Sequence, residues 1–190
     1  MKYKLRVSDV AVKQLESAVW MFAFNYDEVA VHTIAASAFE LYTKRLKLLD
    51  FEKTMKDGLR PEVYTEFIRK WDKPYNFFKH GEHMWEKLDE IDYDEETVDL
   101  LIYFACEANL MGPEEYRLKC AEIYRLFFII KNPQLIDKKV FDNTFVEAAK
   151  NAGMTIDELR TKKSLQQALR LIGHTFSNGT NTPYREIDLD

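Results

Sequence analysis

The sequence predicts an all-α fold: a helical bundle of about five to seven helices with a C-terminal helical hairpin and an extended tail. Apolar residues recur at three- and four-residue spacing along most of the chain, which is the period of an α-helix. Only six glycines and five prolines interrupt the 190 residues, of which 46% are hydrophobic, enough for one substantial core. We divide the chain into a bundle core at 1–136, a hairpin packed on it at 137–173, and an extended tail at 174–190.

The first two helices are predicted from their caps and their apolar faces. Ser8 can cap a first helix that ends near Asn25, and Asp27 can cap a second that runs to about Leu48. The second helix contains the run Ala-Ala-Ser-Ala at 35–38. Small residues let helices approach closely, so this run predicts the centre of the bundle.

Prolines and glycines mark the next helix boundaries. Pro61 predicts the start of a third helix, and Pro74 predicts a short helical turn. A further helix is expected from about Asp94 to the stop at Met111-Gly112-Pro113, and the one after it ends near Asn132-Pro133.

The C-terminal hairpin is predicted from two amphipathic segments. The first covers 140–149 and is closed by Gly153. Thr155, with Glu158 three residues later, forms a capping box for a second helix that ends at Gly173.

Charge and cysteine content restrict the classes of partner. The formal net charge of −5 gives no general attraction to nucleic acid or anionic membranes, so such a partner would need a local basic patch. No stretch resembles a membrane span or a signal peptide. Cys106 and Cys120 lie in apolar helical patterns without Cys-x-x-Cys spacing, which predicts buried thiols. We expect a cytoplasmic protein with no membrane partner and no cofactor.

Polar, titratable and aromatic residues converge in the stretch Lys-Pro-Tyr-Asn-Phe-Phe-Lys-His-Gly-Glu, which begins at Lys73. Asn76 and His80 are four residues apart and therefore share one face of a helix, and we expect them to form a catalytic site. Lys73 and Lys79 would bind a phosphate group. His32, from the second predicted helix, would lie beside them. The alternative is structural: the asparagine caps a local turn, the lysines are solvated and the histidine hydrogen-bonds a backbone carbonyl.

The sequence predicts no metal site in the same region. His80 and His83 are three residues apart, but Gly81 between them weakens the helical register. The sequence also contains no Glu-x-x-His pair, which di-iron helical bundles use.

Four short blocks between positions 8 and 136 resemble a family of uncharacterised bacterial all-helical proteins. They are His32-Thr33 on an Ala-rich helix, Asn76 to His80, Pro113 to Arg117, and Asn132 to Leu135. The arrangement is more remotely similar to HEPN domains, helical bundles that often dimerise and in many members cut RNA without a metal. This resemblance implies a homodimer that engages a nucleotide or an RNA phosphate. The HEPN signature places an arginine four to six residues before the histidine, and only Lys73, at the longest spacing, could take its place here.

A non-catalytic role for the same residues is the first alternative. The chain would then be a dimeric helical interaction module in which these residues hold the fold or an interface. Four aromatic residues close the first helix, too many for one buried stripe, so part of that end is expected to meet a partner. They are Trp20, Phe22, Phe24 and Tyr26.

DNA binding by the C-terminal hairpin is the second alternative. A small residue, a turn glycine and a capped second helix are typical of a helix-turn-helix. Four cations of this region could contact phosphates: Arg160, Lys162, Lys163 and Arg170. A hairpin that only packs on the bundle would have the same pattern.

Overall fold

The structure is a computed structural model that describes residues 6–46, 63, 65, 74–79, 90, 93–94, 96–136 and 155–176. The protein is an all-α helical bundle, as the sequence predicts. Its helices in the described part are α1 (Val7–Ala23), α2 (Glu28–Leu46), α3 (Glu96–Leu110), α4 (Lys119–Lys131), α5 (Ile156–Leu159) and α6 (Lys162–Phe176). Residues 74–79 form a further helical turn. Of the predicted helix that starts at Pro61, the structure describes positions 63 and 65, and both are helical. The predicted helix 140–149 and the tail beyond Phe176 lie outside the described residues.

The small-residue run of α2 lies at the centre of the bundle. Ala35, Ala36 and Ala38 are fully buried, and α2 packs on both α1 and α3. Because alanine side chains are short, two neighbouring helices can approach the same helix closely. The larger core side chains come from the helices around it: Leu15 and Val19 of α1, Leu101, Ile102 and Phe104 of α3, and Tyr124 and Phe128 of α4.

The caps of the first two helices differ in how well the sequence predicts them. The helix α1 begins at Val7, before Ser8, because the Arg6 backbone N–H donates to the Asp9 carboxylate at 2.9 Å and closes the first turn. The predicted Ser8 cap is therefore wrong. The Asp27 cap is confirmed, since the Ala30 backbone N–H donates to Asp27 Oδ1 at 3.0 Å.

The C-terminal helix is divided in two. The capping box is confirmed, because the Thr155 backbone N–H donates to Glu158 Oε2 at 2.9 Å and the Glu158 N–H donates to the Thr155 hydroxyl. The helix then stops at Leu159, where a single continuous helix was expected. Thr161 explains the break: its hydroxyl donates to the Glu158 carbonyl and accepts the N–H of Ser164, which caps a new helix. The helix α6 then continues to Phe176, beyond the predicted end at Gly173.

The helix α6 packs on α1 and α4. Leu165 and Leu169 are buried, and Gln166 Nε2 donates to the Ala23 carbonyl at 2.7 Å, which satisfies an acceptor at the end of α1. The division of the chain into a core, a hairpin and a tail stays a prediction. Among the described helices, none combines the length and the apolar character needed to cross a bilayer.

Candidate functional site

The helical turn 74–79 lies against α2 through an ionic contact. The Tyr75 hydroxyl donates to Glu40 Oε2 at 2.8 Å, and Lys79 Nζ donates to the same oxygen at 3.2 Å. The Lys79 ammonium also lies 5.0 Å from the centroid of the Tyr75 ring. These three groups tie both ends of the turn to one carboxylate of α2.

The pKa values at this contact follow from its partners. Hydrogen bonds with Tyr75 and then with Glu40 raise the pKa of Lys79, because both favour the ammonium form. Burial raises the pKa of the Tyr75 hydroxyl, and the neighbouring carboxylate adds to that effect. The lysine therefore stays cationic and the tyrosine stays neutral at physiological pH.

His32 is fully buried on α2 and lies among aromatic rings. Its ring makes edge contacts with Phe78 and with Tyr93, each with a centroid distance of 5.6 Å, and these two rings lie 5.5 Å apart. The Tyr93 hydroxyl donates to the Glu28 carbonyl at 3.3 Å. This aromatic triad of His32, Phe78 and Tyr93 joins the turn, the start of α2 and the segment before α3. Its imidazole has no access to solvent.

Of the five predicted site residues, the structure describes Asn76, Lys79 and His32. Asn76 is half-buried and Lys79 is exposed, both on the turn, and His32 reaches the turn through Phe78. Lys73 and His80 lie outside the described residues, so the pairing of Asn76 with His80 stays a prediction.

Sequence reasoning missed Glu40, which holds the turn. A signal was present, since His32, Ala36 and Glu40 recur every fourth residue and so share one face of α2. That face is the one the turn covers. The turn contacts His32 through Phe78 and Glu40 through Lys79. Ala36, whose side chain is short, lies between these two residues on the helix.

The aromatic residues at the end of α1 are mostly used within the chain. Phe22 makes an edge contact with Tyr124 at 5.5 Å, and Trp20 stacks on Phe24 at 5.6 Å. Tyr26 is exposed. Three of the four rings expected to meet a partner therefore have neighbours in their own protein.

Three of the four cations expected to contact DNA phosphates are also held against the protein. Lys162 Nζ donates to Asn25 Oδ1 at 2.9 Å and lies 4.2 Å from the Phe22 ring centroid. Arg160 Nε donates to the Ile130 carbonyl at 3.0 Å, and the Arg170 guanidinium lies 5.4 Å from the Phe24 ring centroid. These contacts fix the start of α6 on the ends of α1 and α4.

No family model matches the chain, and no curated protein or solved structure matches it either.

Proposed function

We propose that this protein is a non-catalytic helical interaction module that acts as a cytoplasmic homodimer, and that the 74–79 turn stabilises its fold. The proposal rests on two sets of contacts that the turn makes with α2. Lys79 and Tyr75 both donate to the carboxylate of Glu40, and the Phe78 ring packs on the buried His32. Each described contact of the turn is one that a structural element would make.

Electrostatics supports this structural role. A phosphate group approaching Lys79 would also approach the Glu40 carboxylate, which lies 3.2 Å from the ammonium. The carboxylate offsets most of the attraction that one ammonium offers, and solvent screens the rest. A histidine that transfers protons must come within hydrogen-bond reach of its substrate, and the solvent-inaccessible ring of His32 does not.

The outer faces of α4 and α6 support self-association. Leu171 of α6 is 72% exposed, and Leu126 is an exposed large apolar side chain on α4, the helix on which α6 packs. A second copy of the chain is the partner proposed, because most soluble oligomers are symmetric homodimers in which the same patch meets itself. An apolar side chain at the centre of such a patch would be removed from water on assembly.

Sedimentation velocity over a concentration series tests the homodimer. We expect the wild-type protein to shift from monomer to dimer between about 1 and 100 μM, a range typical of modest interfaces. Leu171→Glu should keep the protein monomeric, because it would bury a charge at the contact. Val29→Glu, on α2, is the matched control and should leave the dimer intact. A wild-type protein that stays monomeric throughout would contradict the proposed dimer.

The HEPN-like alternative is supported by the exposed Lys79 and the half-buried Asn76, which are three residues apart on the turn. Incubating the protein with labelled single-stranded RNA in the presence of a chelator tests it, with His80→Ala, Asn76→Ala and Lys79→Gln as variants. We expect no cleavage above a protein-free control. Cleavage that is lost in His80→Ala while the melting temperature is unchanged would favour the HEPN-like function instead.

The DNA-binding alternative is supported by Lys163, an exposed cation on α6. Arg160, Lys162 and Arg170 each contact groups of the same chain. We expect no shift in duplex DNA mobility even at low salt, where phosphate contacts are strongest. A shift that disappears in Lys163→Gln would favour DNA binding.

A further inference from the structure

A pocket of about 290 Å³ opens at the end of the bundle where α1 begins and where α2 and α3 end. Its volume is close to the lower limit for small-molecule sites in proteins. No residue of the 74–79 turn lines this pocket, although two residues that do line it, Leu41 and Tyr42, directly follow Glu40 in α2. It is lined by Arg6, Val7, Ser8, Ala11, Leu41, Tyr42, Asn109, Gly112, Pro113 and Tyr116.

The hydrogen bonds of Asn109 fix the orientation of its amide. Asn109 is 1% exposed, and its Oδ1 accepts the backbone N–H of Leu118 at 2.9 Å. Its Nδ2 donates to the Tyr116 carbonyl at 2.8 Å and to the Tyr42 hydroxyl oxygen at 2.9 Å. A backbone N–H can only donate and a carbonyl can only accept, so the amide cannot be turned over.

It follows that Tyr42 is the acceptor in its bond with Asn109. Its own hydroxyl proton is therefore not used in that bond. No acceptor for this proton is found among the residues that the structure describes, although Tyr42 is only 6% exposed. Burial raises the pKa of Tyr42 well above its ordinary value, so the hydroxyl stays neutral and keeps the proton. A buried donor without an acceptor is costly, and here it belongs to a residue that lines a pocket.

The charge of the pocket points to an anionic acceptor. Arg6 is the one charged residue among those lining it, and its guanidinium has no ion pair within the described part of the chain. The nearest carboxylate in sequence, that of Asp9, accepts the Arg6 backbone N–H and does not line the pocket. A smaller pocket at the opposite end of the bundle has mixed charge: Glu28, Glu96 and Asp99 line it together with Lys131 and Lys162.

Several of the other lining residues are apolar, beside the hydroxyl-bearing Ser8 and Tyr116. The apolar part of the lining comes from Val7 and Ala11 of α1, Leu41 of α2, and Pro113. We propose that this pocket binds a small organic acid, whose carboxylate accepts the Tyr42 hydroxyl proton and pairs with the Arg6 guanidinium while its apolar body lies against these walls. The buried hydroxyl supplies a fixed donor, and the arginine supplies charge at the mouth.

Isothermal titration with 4-phenylbutyrate and with its neutral amide tests the charge requirement. The two probes have the same apolar body and differ in the group that would meet Tyr42 and Arg6. We expect the acid to bind at least about tenfold more tightly than the amide, because a hydrogen bond to a charged acceptor is stronger than one to a neutral one. Equal affinities, or no heat from either probe at millimolar concentration, would overturn the proposal.

Paired variants locate the site. Val7 and Val29 are both 41% exposed, and only the first lines the pocket. Val7→Glu should abolish binding of the acid by repulsion, whereas Val29→Glu should not change it. Tyr42→Phe should weaken binding of the acid about tenfold and leave binding of the amide nearly unchanged. Tyr26→Phe, at an exposed tyrosine, should change the binding of neither probe.

Arg6→Gln keeps the proposal testable if Tyr42→Phe impairs folding, because Arg6 is exposed and its loss costs little stability. This variant should weaken binding of the acid several-fold and remove the salt dependence of that binding. Binding of the acid that is unchanged in both Arg6→Gln and Val7→Glu would show that it binds elsewhere and would overturn the proposal.

Discussion

Arg125 Nε donates to Glu107 Oε1 at 2.5 Å, which joins the middle of α4 to the last turns of α3. The side chain of Glu107 is 12% exposed and that of Arg125 is 35% exposed, so the carboxylate is the more deeply buried partner. Tyr103 lies one helical turn before Glu107, and burial together with this carboxylate raises the pKa of the tyrosine hydroxyl. The carboxylate thus depends on the arginine for its one cationic partner in the described part.

Arg125→Met should lower the free energy of unfolding by about 2 kcal/mol, because it leaves the Glu107 charge buried without a cation. This loss is smaller than the one expected for a fully buried ion pair, because 35% of the Arg125 side chain is exposed to solvent. Urea denaturation at pH 7 measures it. Lys119→Met is the control: its pair with Glu122 is exposed, so the change should stay within about 0.5 kcal/mol. Equal effects of the two variants would contradict the prediction.

Asn109→Ala should be among the most destabilising polar substitutions in the described part. It would remove the partner of the Tyr116 carbonyl and of the Leu118 N–H, which belong to half-buried residues, and we expect a loss of about 3 kcal/mol. Asn132→Ala is the matched control, because Asn132 makes one side-chain hydrogen bond, to the Phe128 carbonyl, and is only half-buried. Its cost should be about 1 kcal/mol by the same measurement.

Features that depend on nearby sequence were the ones the sequence predicted well. The Asp27 cap and the capping box of Thr155 and Glu158 each involve residues three positions apart, so their chemistry is visible in the chain itself. The Ser8 cap was wrong because Asp9, its neighbour, offers a carboxylate to the Arg6 N–H and starts the helix earlier. Asp9 acts here from the third position of the helix, so α1 begins at Val7, two positions before the start that a Ser8 cap would give.

Features that depend on distant sequence were less visible. The spacing of Asn76 and His80 indicates a shared helical face but does not indicate what lies opposite it. The turn lies against Glu40, 35 residues before Tyr75, and a carboxylate there changes Lys79 from a free cation into half of an ion pair. The buried state of His32 also depends on a ring 46 positions later, that of Phe78. Such contacts follow from how helices pack, which local patterns do not specify.

The aromatic triad should contribute to stability beyond the area it buries. A double-mutant cycle with His32→Ala and Phe78→Ala should give a coupling energy of about 1 kcal/mol, as for other edge-to-face ring pairs. A parallel cycle with Glu40→Ala and Lys79→Ala should give less than about 0.5 kcal/mol, because Lys79 is exposed to water. Denaturation in urea provides both. A larger coupling in the second cycle would mean that the ionic contact, and not the triad, holds the turn.

The capping box of α5 should make stability depend on pH in acid. The Thr155 backbone N–H and then its hydroxyl donate to Glu158 and lower the pKa of that carboxyl below its ordinary value of 4.5. A carboxyl whose pKa is lower in the folded state stabilises the fold above 4.5, and this contribution is lost as the pH falls through the folded-state pKa. The wild type should therefore be more stable than Glu158→Gln at pH 7.

The difference between these two proteins should shrink as the pH is lowered from 4.5, because glutamine can still accept the N–H but does not titrate. Urea midpoints measured at pH 7, 4.5 and 3 give the comparison. Thr155→Val keeps the backbone donor and removes the hydroxyl, so it should retain part of the pH dependence. A midpoint difference between wild type and Glu158→Gln that is constant from pH 7 to pH 3 would mean that the carboxylate has no more favourable surroundings in the folded protein than in the unfolded chain.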